Sequence, residues 1–231
     1  MTQSFMKKYK RKFLIFKKII GTDAPIIVEV GAHYGEDTLR FLETFPRAKV
    51  YCFEPDPRNI KIFESYVKDD RVVLSHSALA ATEGKAEFFQ SYEELQDNRV
   101  PEKYDWIDLE DYKQEQINSS GASSLKKGHK DILPNSIVVK TERFDNWHRI
   151  SGVGTIDLLW IDVQGAEADV IEGMGEAAQH VKLVWIEYGE TQYQGALTRL
   201  DTVRLMKEKG FAAVNELSDH GAAGDLLFKR I

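Results

Sequence analysis

The stretch IIVEVGAHYGEDTLRF, from Ile26 to Phe41, joins a short apolar run, two glycines and a helical pattern. Residues 26–30 are apolar except for Glu29, so they predict a buried strand with a carboxylate near its end. Gly31 and Gly35 then indicate a turn, and the residues from Glu36 to about Phe45 have helical spacing. A strand, a glycine turn and a helix in this order are typical of a ligand-binding corner in an α/β sheet.

The same alternation of apolar runs and helical patterns continues along the chain. Further strands are predicted at 49–53, 71–76, 156–161, 182–187, 211–216 and 225–230, with extra strands at 85–90 and 137–144. Helices are predicted at about 57–67, 166–174 and 197–209. Such alternation indicates an α/β fold with a mostly parallel sheet and helices on both faces. The last two strands can pair as an antiparallel hairpin at one edge, because the segment that joins them is short.

Composition limits the classes of function. The 231 residues have a net charge of −6, and residues 1–20 contain seven basic residues and no acid, so the rest of the chain has a charge of −13. An acidic body argues against nucleic acid as a ligand of the core. The chain has no apolar run of about 18 residues and no secretory signal, which predicts a cytoplasmic protein. The single cysteine, Cys52, lies in an apolar strand and is predicted to be a buried structural thiol.

The first 24 residues predict a basic amphipathic helix, which we expect to be separate from a domain formed by residues 25–231. Its apolar residues recur at spacings of three and four: Phe5, Tyr9, Phe13, Phe16 and Ile20. One interpretation is a helix that caps the core and presents its lysines to water. The other is peripheral contact with an anionic membrane surface through residues 1–20.

Residues 91–136 interrupt the alternation and form a predicted insertion. This segment is rich in acids and contains four spaced aromatic residues, which are Tyr92, Tyr104, Trp106 and Tyr112. Aromatic faces with polar neighbours suit sugar rings, so the insertion is a candidate lid over an acceptor. The alternative is a satellite cluster that keeps the insertion folded.

The glycine turn favours a cationic nucleoside over a dinucleotide. The dinucleotide fingerprint requires glycines at i, i+2 and i+5, whereas this chain has Glu29, Gly31 and Tyr34 at those positions. Glu54 follows Gly31 by 23 residues, close to where an acid binds ribose hydroxyls in such folds, and Pro55 turns the chain away. S-adenosylmethionine combines a ribose, a sulfonium and an amino acid end without phosphate, so it fits these residues.

Six motifs together resemble the FkbM-type methyltransferase family. They are VEVGAHYGEDTLRF, YCFEPDPRNIKIFES, SHSALAATEGKAEFF, GASSL, IDLLWIDVQGAEADVIEGM and WIEYGE, between residues 28 and 190. The resemblance implies a Rossmann-like seven-stranded sheet and S-adenosylmethionine-dependent methylation of hydroxyls on sugars or glycosylated products. The chain departs from the family pattern at Glu29, usually Asp, at His33, usually Asn, and at Gln164, usually Glu. Because Gln164 lacks a carboxylate, we assign it no acid–base role.

The predicted site combines a cofactor set with a reaction centre. The cofactor-binding residues are Glu29, Gly31, Ala32, His33, Gly35, Glu54, Pro55, Ser77, Ala78 and Asp162. Asp162 ends an apolar run and is predicted to be a base, a ligand of the donor's amino group or a cation ligand, although it could also cap the following helix. Glu187 ends the next run and is a second candidate, while His129 is a candidate base that the resemblance brings near the site. Asp162 and Glu187 together could bind a divalent cation such as Mg²⁺.

The sequence thus predicts O-methylation of a sugar or glycoconjugate hydroxyl. Two alternatives remain: a nicotinamide-dependent oxidoreductase of the same fold, and a non-catalytic Rossmann-like binding module. The oxidoreductase alternative is disfavoured, because the sequence lacks the third glycine of the dinucleotide fingerprint and a Tyr-x-x-x-Lys pair. The oligomeric state is not predicted.

Overall fold

The computed structural model of the protein describes residues 3–91, 100–101, 104–114, 120–128, 132–189, 193–214 and 221–231. Its strands are β1 Ile26–Val30, β2 Lys49–Phe53, β3 Val72–Ser75, β4 Ala78–Leu79, β5 Gly84–Ser91, β6 Ile132–Glu142, β7 Leu158–Ile161, β8 Leu183–Gly189, β9 Phe211–Val214 and β10 Ala223–Arg230. Its α-helices are α1 Gln3–Ile20, α2 Glu36–Thr44, α3 Pro57–Tyr66, α4 Leu109–Gln114, α5 Phe144–Ser151, α6 Glu167–Gly173 and α7 Arg199–Glu208. Short 3₁₀ helices cover Ser120–Ala122 and Gly175–His180.

Seven strands form the main sheet in the order β3-β2-β1-β7-β8-β10-β9. Strands β3, β2, β1, β7 and β8 are parallel neighbours, whereas β10 is antiparallel to both β8 and β9. The predicted fold class is therefore confirmed, including the antiparallel hairpin at one edge. The chain first runs outward from β1 to β3 and later returns to β7 on the other side of β1. This reversal opens a crevice between the carboxyl ends of β1 and β7.

Helices cover both faces of this sheet because alternate residues of each strand point in opposite directions. Val28 and Val30 of β1 pack in a core cluster that includes residues of α5, α6 and α7. Ile27 and Cys52 pack in a second cluster on the other face, which includes residues of α1 and α2. Cys52 is fully buried there, as predicted for a structural thiol.

Helix α1 supplies core residues to the main sheet. Phe16 is fully buried and lies 5.1 Å, between ring centroids, from Trp185, while Phe13 lies 6.2 Å from Trp160. Lys12 places its Nζ 3.9 Å from the Trp185 ring centroid. Phe13 and Phe16 are thus packed inside the protein and are not free to enter a lipid surface, which favours the capping interpretation. No helix in the described part of the chain is both long enough and apolar enough to cross a bilayer.

One strand prediction was wrong at its end. The extra strand predicted at 137–144 ends at Glu142, and Phe144 instead begins α5, a helix that was not predicted. The residue before this helix is Arg143, whose side chain makes no capping hydrogen bond, so the sequence lacks a capping signal. The predicted extra strands β5 and β6 form a second sheet with β4, in the order β4-β6-β5.

The insertion is more regular than its composition indicates. Within the predicted segment 91–136 lie α4, the 3₁₀ turn Ser120–Ala122 and the first residues of β6. Tyr104 and Tyr112 are buried and pack with Tyr34 in a small cluster of their own, as the satellite-cluster interpretation expects. Tyr92 lies outside the described residues.

Candidate active site

A cavity of about 430 Å³ lies at the carboxyl ends of β1, β2 and β7. Each of these strands is followed by a predicted site residue on the cavity wall: Gly31 after β1, Glu54 after β2 and Asp162 after β7. Tyr104 and Tyr112 of the insertion also line it, so this part of the insertion covers the crevice. The cavity therefore occupies the point where the strand order reverses, as expected for a ligand site in an open α/β sheet.

The glycine turn is required by contacts within the protein. Gly31 has φ 85°, and a Cβ atom added to it would lie 1.8 Å from the backbone oxygen of Asp162. A Cβ added to Gly35, which has φ 91°, would lie 2.5 Å from the Val67 side chain. Gly31 and Ala32 both donate their backbone N–H groups to Phe53 O at 3.0 Å. Gly31 thus allows the ends of β1, β2 and β7 to lie close together, and Gly35 allows the turn to pack against the end of α3.

Glu29 is buried at the base of the cavity and is already hydrogen-bonded. Its Oε2 accepts from the Thr38 hydroxyl at 2.5 Å and from the Cys52 thiol at 3.6 Å. Burial raises the pKa of Glu29 well above its usual range, and the nearby Asp37 raises this pKa further. Glu29 lines the cavity, so its predicted contact with the donor's methionyl end remains a prediction.

Glu54 is held in one orientation by three donors. Its carboxylate accepts from the backbone N–H of His33 at 2.8 Å and of Asp56 at 2.9 Å, and from Asn59 Nδ2 at 3.1 Å. Burial raises the pKa of Glu54 to about 7 despite these hydrogen bonds, which favour the charged form. Pro55 follows and also lines the cavity. This arrangement presents a fixed acceptor to the cavity, as a ribose would require.

His33 donates a hydrogen bond to Glu54 from its backbone N–H group. It has φ 52°, an uncommon value for a residue other than glycine, and this conformation accompanies the N–H bond to Glu54. The His33 ring is occupied elsewhere, since Nδ1 lies 3.0 Å from Glu36 Oε1 and the ring packs on Tyr34. The His33 side chain is therefore paired with an acid, and His129, the candidate base, lies outside the described residues.

Ser77 and Ala78, both predicted to bind the cofactor, have different surroundings. Ala78 lines the cavity, whereas Ser77 is not among the lining residues. The Ser77 hydroxyl donates to Glu142 Oε1 at 2.7 Å, at the turn between β3 and β4. That hydroxyl is thus used within the protein, and the cofactor contact of Ser77 stays a prediction.

Asp162 and Glu187 are brought together by a residue to which the sequence assigned no role. Gln164 Nε2 donates to Asp162 Oδ1 at 2.6 Å and to Glu187 Oε2 at 2.7 Å. Gln164 has φ 54°, and its Oε1 lies 3.0 Å from the Tyr193 hydroxyl, which can donate to it. Burial and the negative charge of Asp162 raise the pKa of Glu187 well above its usual range. The group is therefore suited to holding one proton beside an ionised carboxylate.

Among the described residues, Asp162 and Glu187 are not extended to a metal site by a further acid, histidine or cysteine. Within the described residues, no group of three or more His, Cys, Asp or Glu side chains could hold a metal ion. The Gln164 amide also lies between the two carboxylates, where it supplies the positive end of a dipole to both.

Glu167 has a structural role at the start of α6. Its Oε1 accepts from the backbone N–H of Val163 at 3.3 Å and of Gly165 at 3.1 Å, at the start of α6. Burial raises the pKa of Glu167 to about 7. Asp162 does not cap this helix, because the residue before α6 is Ala166 and makes no side-chain cap.

Sequence reasoning missed Asn59 and Gln164. Asn59 lies in the first turn of a helix that begins at Pro57, so it can reach back to Glu54, and this spacing was a usable signal. Gln164 gave no such signal, because an amide is informative only once its two carboxylate partners are known.

Comparisons with known proteins agree on one family. The methyltransferase FkbM domain matches residues 29–213. The chain is 32% identical over 212 residues to the 2-O-methyltransferase NoeI of Sinorhizobium fredii, covering 89% of this chain and 79% of that protein. It is 27% identical over 204 residues to the methyltransferase sdnD of Sordaria araneosa, covering 81% of this chain and 73% of that protein.

Solved structures share the fold at low identity. The crystal structure of a methyltransferase FkbM from Methylobacillus flagellatus aligns with a TM-score of 0.53 and 12% identity, over 90% of this chain. This chain spans 44% of that longer chain. An O-methyltransferase family protein from Burkholderia thailandensis aligns with a TM-score of 0.50 and 10% identity, over 97% of this chain and 57% of that one.

Proposed function

The chain belongs to the FkbM methyltransferase family, and on this premise we propose that it is an S-adenosylmethionine-dependent O-methyltransferase acting on a sugar or glycoconjugate hydroxyl. The observation that carries the proposal is the arrangement of the cavity. A fixed carboxylate acceptor, Glu54, lies after β2, and Asp162 lies after β7, where Gln164 links it to Glu187 of the adjacent strand β8. One wall thus suits a ribose, and the other suits the removal of a proton.

The residues of the cavity fit the proposed donor. Glu54 would accept from its ribose, and Glu29, Glu36 and Asp37 line the same cavity, where their carboxyl oxygens would accept from its amino group. Glu36 Oε2 is a buried carboxylate oxygen without a hydrogen-bond partner among the described residues, so it can still receive a donor. When bound, S-adenosylmethionine supplies a methyl group on a positively charged sulfur.

Asp162 is the residue proposed to take the acceptor's proton. Methyl transfer to a hydroxyl requires alignment of the two reactants and removal of a proton from a weak nucleophile. Asp162 lines the cavity, and Glu187, with its raised pKa, is the partner that keeps a proton. Gln164 would hold the two carboxylates in register, so Asp162 can face the acceptor without moving. No metal takes part in this proposal, since the Gln164 amide occupies the space between the acids.

The hydroxyl acceptor is supported by one relative. NoeI, at 32% identity, is named as a 2-O-methyltransferase, which favours oxygen over nitrogen or carbon as the methylated atom.

Calorimetry and a transfer assay test the proposal. S-adenosylhomocysteine should bind, and NADH should not; the reverse result would favour the oxidoreductase alternative. Methyl-labelled S-adenosylmethionine should then label sugars or glycolipids in a panel that also contains peptides and phenols. Binding of the donor without transfer to any hydroxyl would indicate a non-catalytic module instead.

A further inference from the structure

One buried acceptor in the cavity wall has no partner. Asn59 is 2% exposed and lines the cavity, and its carbonyl oxygen Oδ1 has no hydrogen-bond partner among the described residues. Its orientation is set by Glu54, because an ionised carboxylate only accepts and must face the Asn59 NH₂ group. A buried carbonyl without a donor is unfavourable, so a ligand donor is expected there.

The hydrogen bonds of Glu54 show why a second acceptor is needed. A carboxylate has about four acceptor positions, two on each oxygen. Oε1 already accepts from Asp56 N and Asn59 Nδ2, and Oε2 accepts from His33 N. Glu54 therefore has one acceptor position left, whereas the two neighbouring hydroxyls of a ribose need two.

We propose that Asn59 is a ribose-binding residue, whose Oδ1 accepts from one ribose hydroxyl while Glu54 Oε2 accepts from the other. This inference rests on the proposed function, because it takes an adenosine-containing donor as the ligand. It adds to that function an assignment of the two ribose hydroxyls. The carboxylate of Glu54 binds one hydroxyl, and the neutral amide of Asn59 binds the neighbouring one. The amide also holds Glu54 in place through Nδ2, so one side chain orients the acid and completes the site.

The test combines protein variants with donor analogues. Calorimetry measures the dissociation constants of S-adenosylhomocysteine and of its 2′-deoxy and 3′-deoxy forms. With the wild-type protein, each deoxy form should bind about 3-fold or more weakly, the effect of one lost hydrogen bond. With Asn59→Ala, one deoxy form should bind as tightly as the parent compound, and the other should keep its loss. Ser65→Ala is the matched control in the same helix, since Ser65 is exposed and bonds only to Lys61 O in the described structure.

Three results would overturn the inference. If Asn59→Ala keeps both losses, the amide touches neither hydroxyl; if it abolishes both, Asn59 acts only through Glu54. If the variant does not fold, the wild-type measurements still decide, because a deoxy form that binds like the parent leaves one hydroxyl without an acceptor. A wild-type protein that binds no S-adenosylhomocysteine would instead contradict the proposed function.

Discussion

Gln164 donates its side-chain amide to Glu187 across 2.7 Å, from a backbone with φ 54°. The same nitrogen lies 2.6 Å from Asp162, so one neutral group holds both acids. The left-handed conformation costs free energy on the order of 1 kcal/mol in a non-glycine residue. Such a conformation at a cavity wall accompanies a specific placement of the side chain.

Replacing Gln164 should therefore affect turnover more than donor binding. We expect Gln164→Ala to lower kcat by about tenfold or more, because Asp162 and Glu187 lose their common donor. The dissociation constant of S-adenosylhomocysteine should change by less than about threefold. Steady-state kinetics and calorimetry on the same preparation measure both. An equal loss in the two quantities would make Gln164 a donor-binding residue.

Glu54→Ala should weaken donor binding by about 1–3 kcal/mol, which is about 5- to 150-fold in Kd. The reason is the loss of a buried acceptor for the ribose. Glu64→Ala is a suitable control, because Glu64 lies in the following helix α3, is half exposed, and pairs with His76, and neither of these residues lines the cavity. An unchanged Kd for Glu54→Ala would remove this acid from the site.

Stability should fall as the pH rises toward neutrality. Burial raises the pKa of Glu54 from 4.5 to about 7, so the folded protein keeps a proton that the unfolded chain loses between these values. The resulting stabilisation is complete below about pH 4.5 and disappears as the pH rises through about 7. Glu167 adds a contribution of the same sign.

Urea denaturation at about pH 5.5 and about pH 8 measures this effect. The wild-type protein should lose more free energy of unfolding between the two conditions than Glu54→Gln, which cannot ionise. Identical losses in the two proteins would mean that Glu54 keeps an ordinary pKa in the folded state.

Gly31→Ala should destabilise the protein by more than its backbone strain alone. A methyl group there would lie 1.8 Å from Asp162 O, so β1 and β7 would have to separate. Gly152→Ala is the matched control, since Gly152 has φ 67° and a Cβ there would meet nothing within 4 Å. We expect the control to cost about 1–2 kcal/mol and Gly31→Ala clearly more, by urea denaturation. Equal costs would show that the contact relaxes easily.

Phe16→Ala should cost about 3–5 kcal/mol of stability, the usual effect of removing a buried aromatic ring. Phe16 is fully buried against Trp160 and Trp185. Leu14→Ala, at a position 53% exposed on the same helix, should change stability by less than about 1 kcal/mol. A small effect of both variants would mean that α1 is not part of the cooperative fold.

Most strands and helices could be predicted from the periodicity of apolar residues. The residues of the candidate site could be predicted from the sequence only in part. The positions of Gly31, Glu54 and Asp162 were predictable because parallel strands end at one edge of a sheet. The hydroxyl of Ser77 was not predictable, since its direction depends on the distant Glu142. The role of Gln164 likewise depends on a partner 23 residues away in sequence, which spacing rules do not specify, whereas the short spacing between Asn59 and Glu54 was a usable signal. Helix α5 was missed because it is 8 residues long and lacks a capping signal.

The packing of α1 also bears on where a fragment of this protein should begin. The family match begins at residue 29, yet Phe13 and Phe16 cover two indole rings of the sheet. A fragment that begins at residue 29 would lack α1 and would expose Trp160 and Trp185 to solvent. An exposed apolar patch of that kind promotes aggregation. In this protein the folding unit thus begins well before the stretch by which its relatives are recognised.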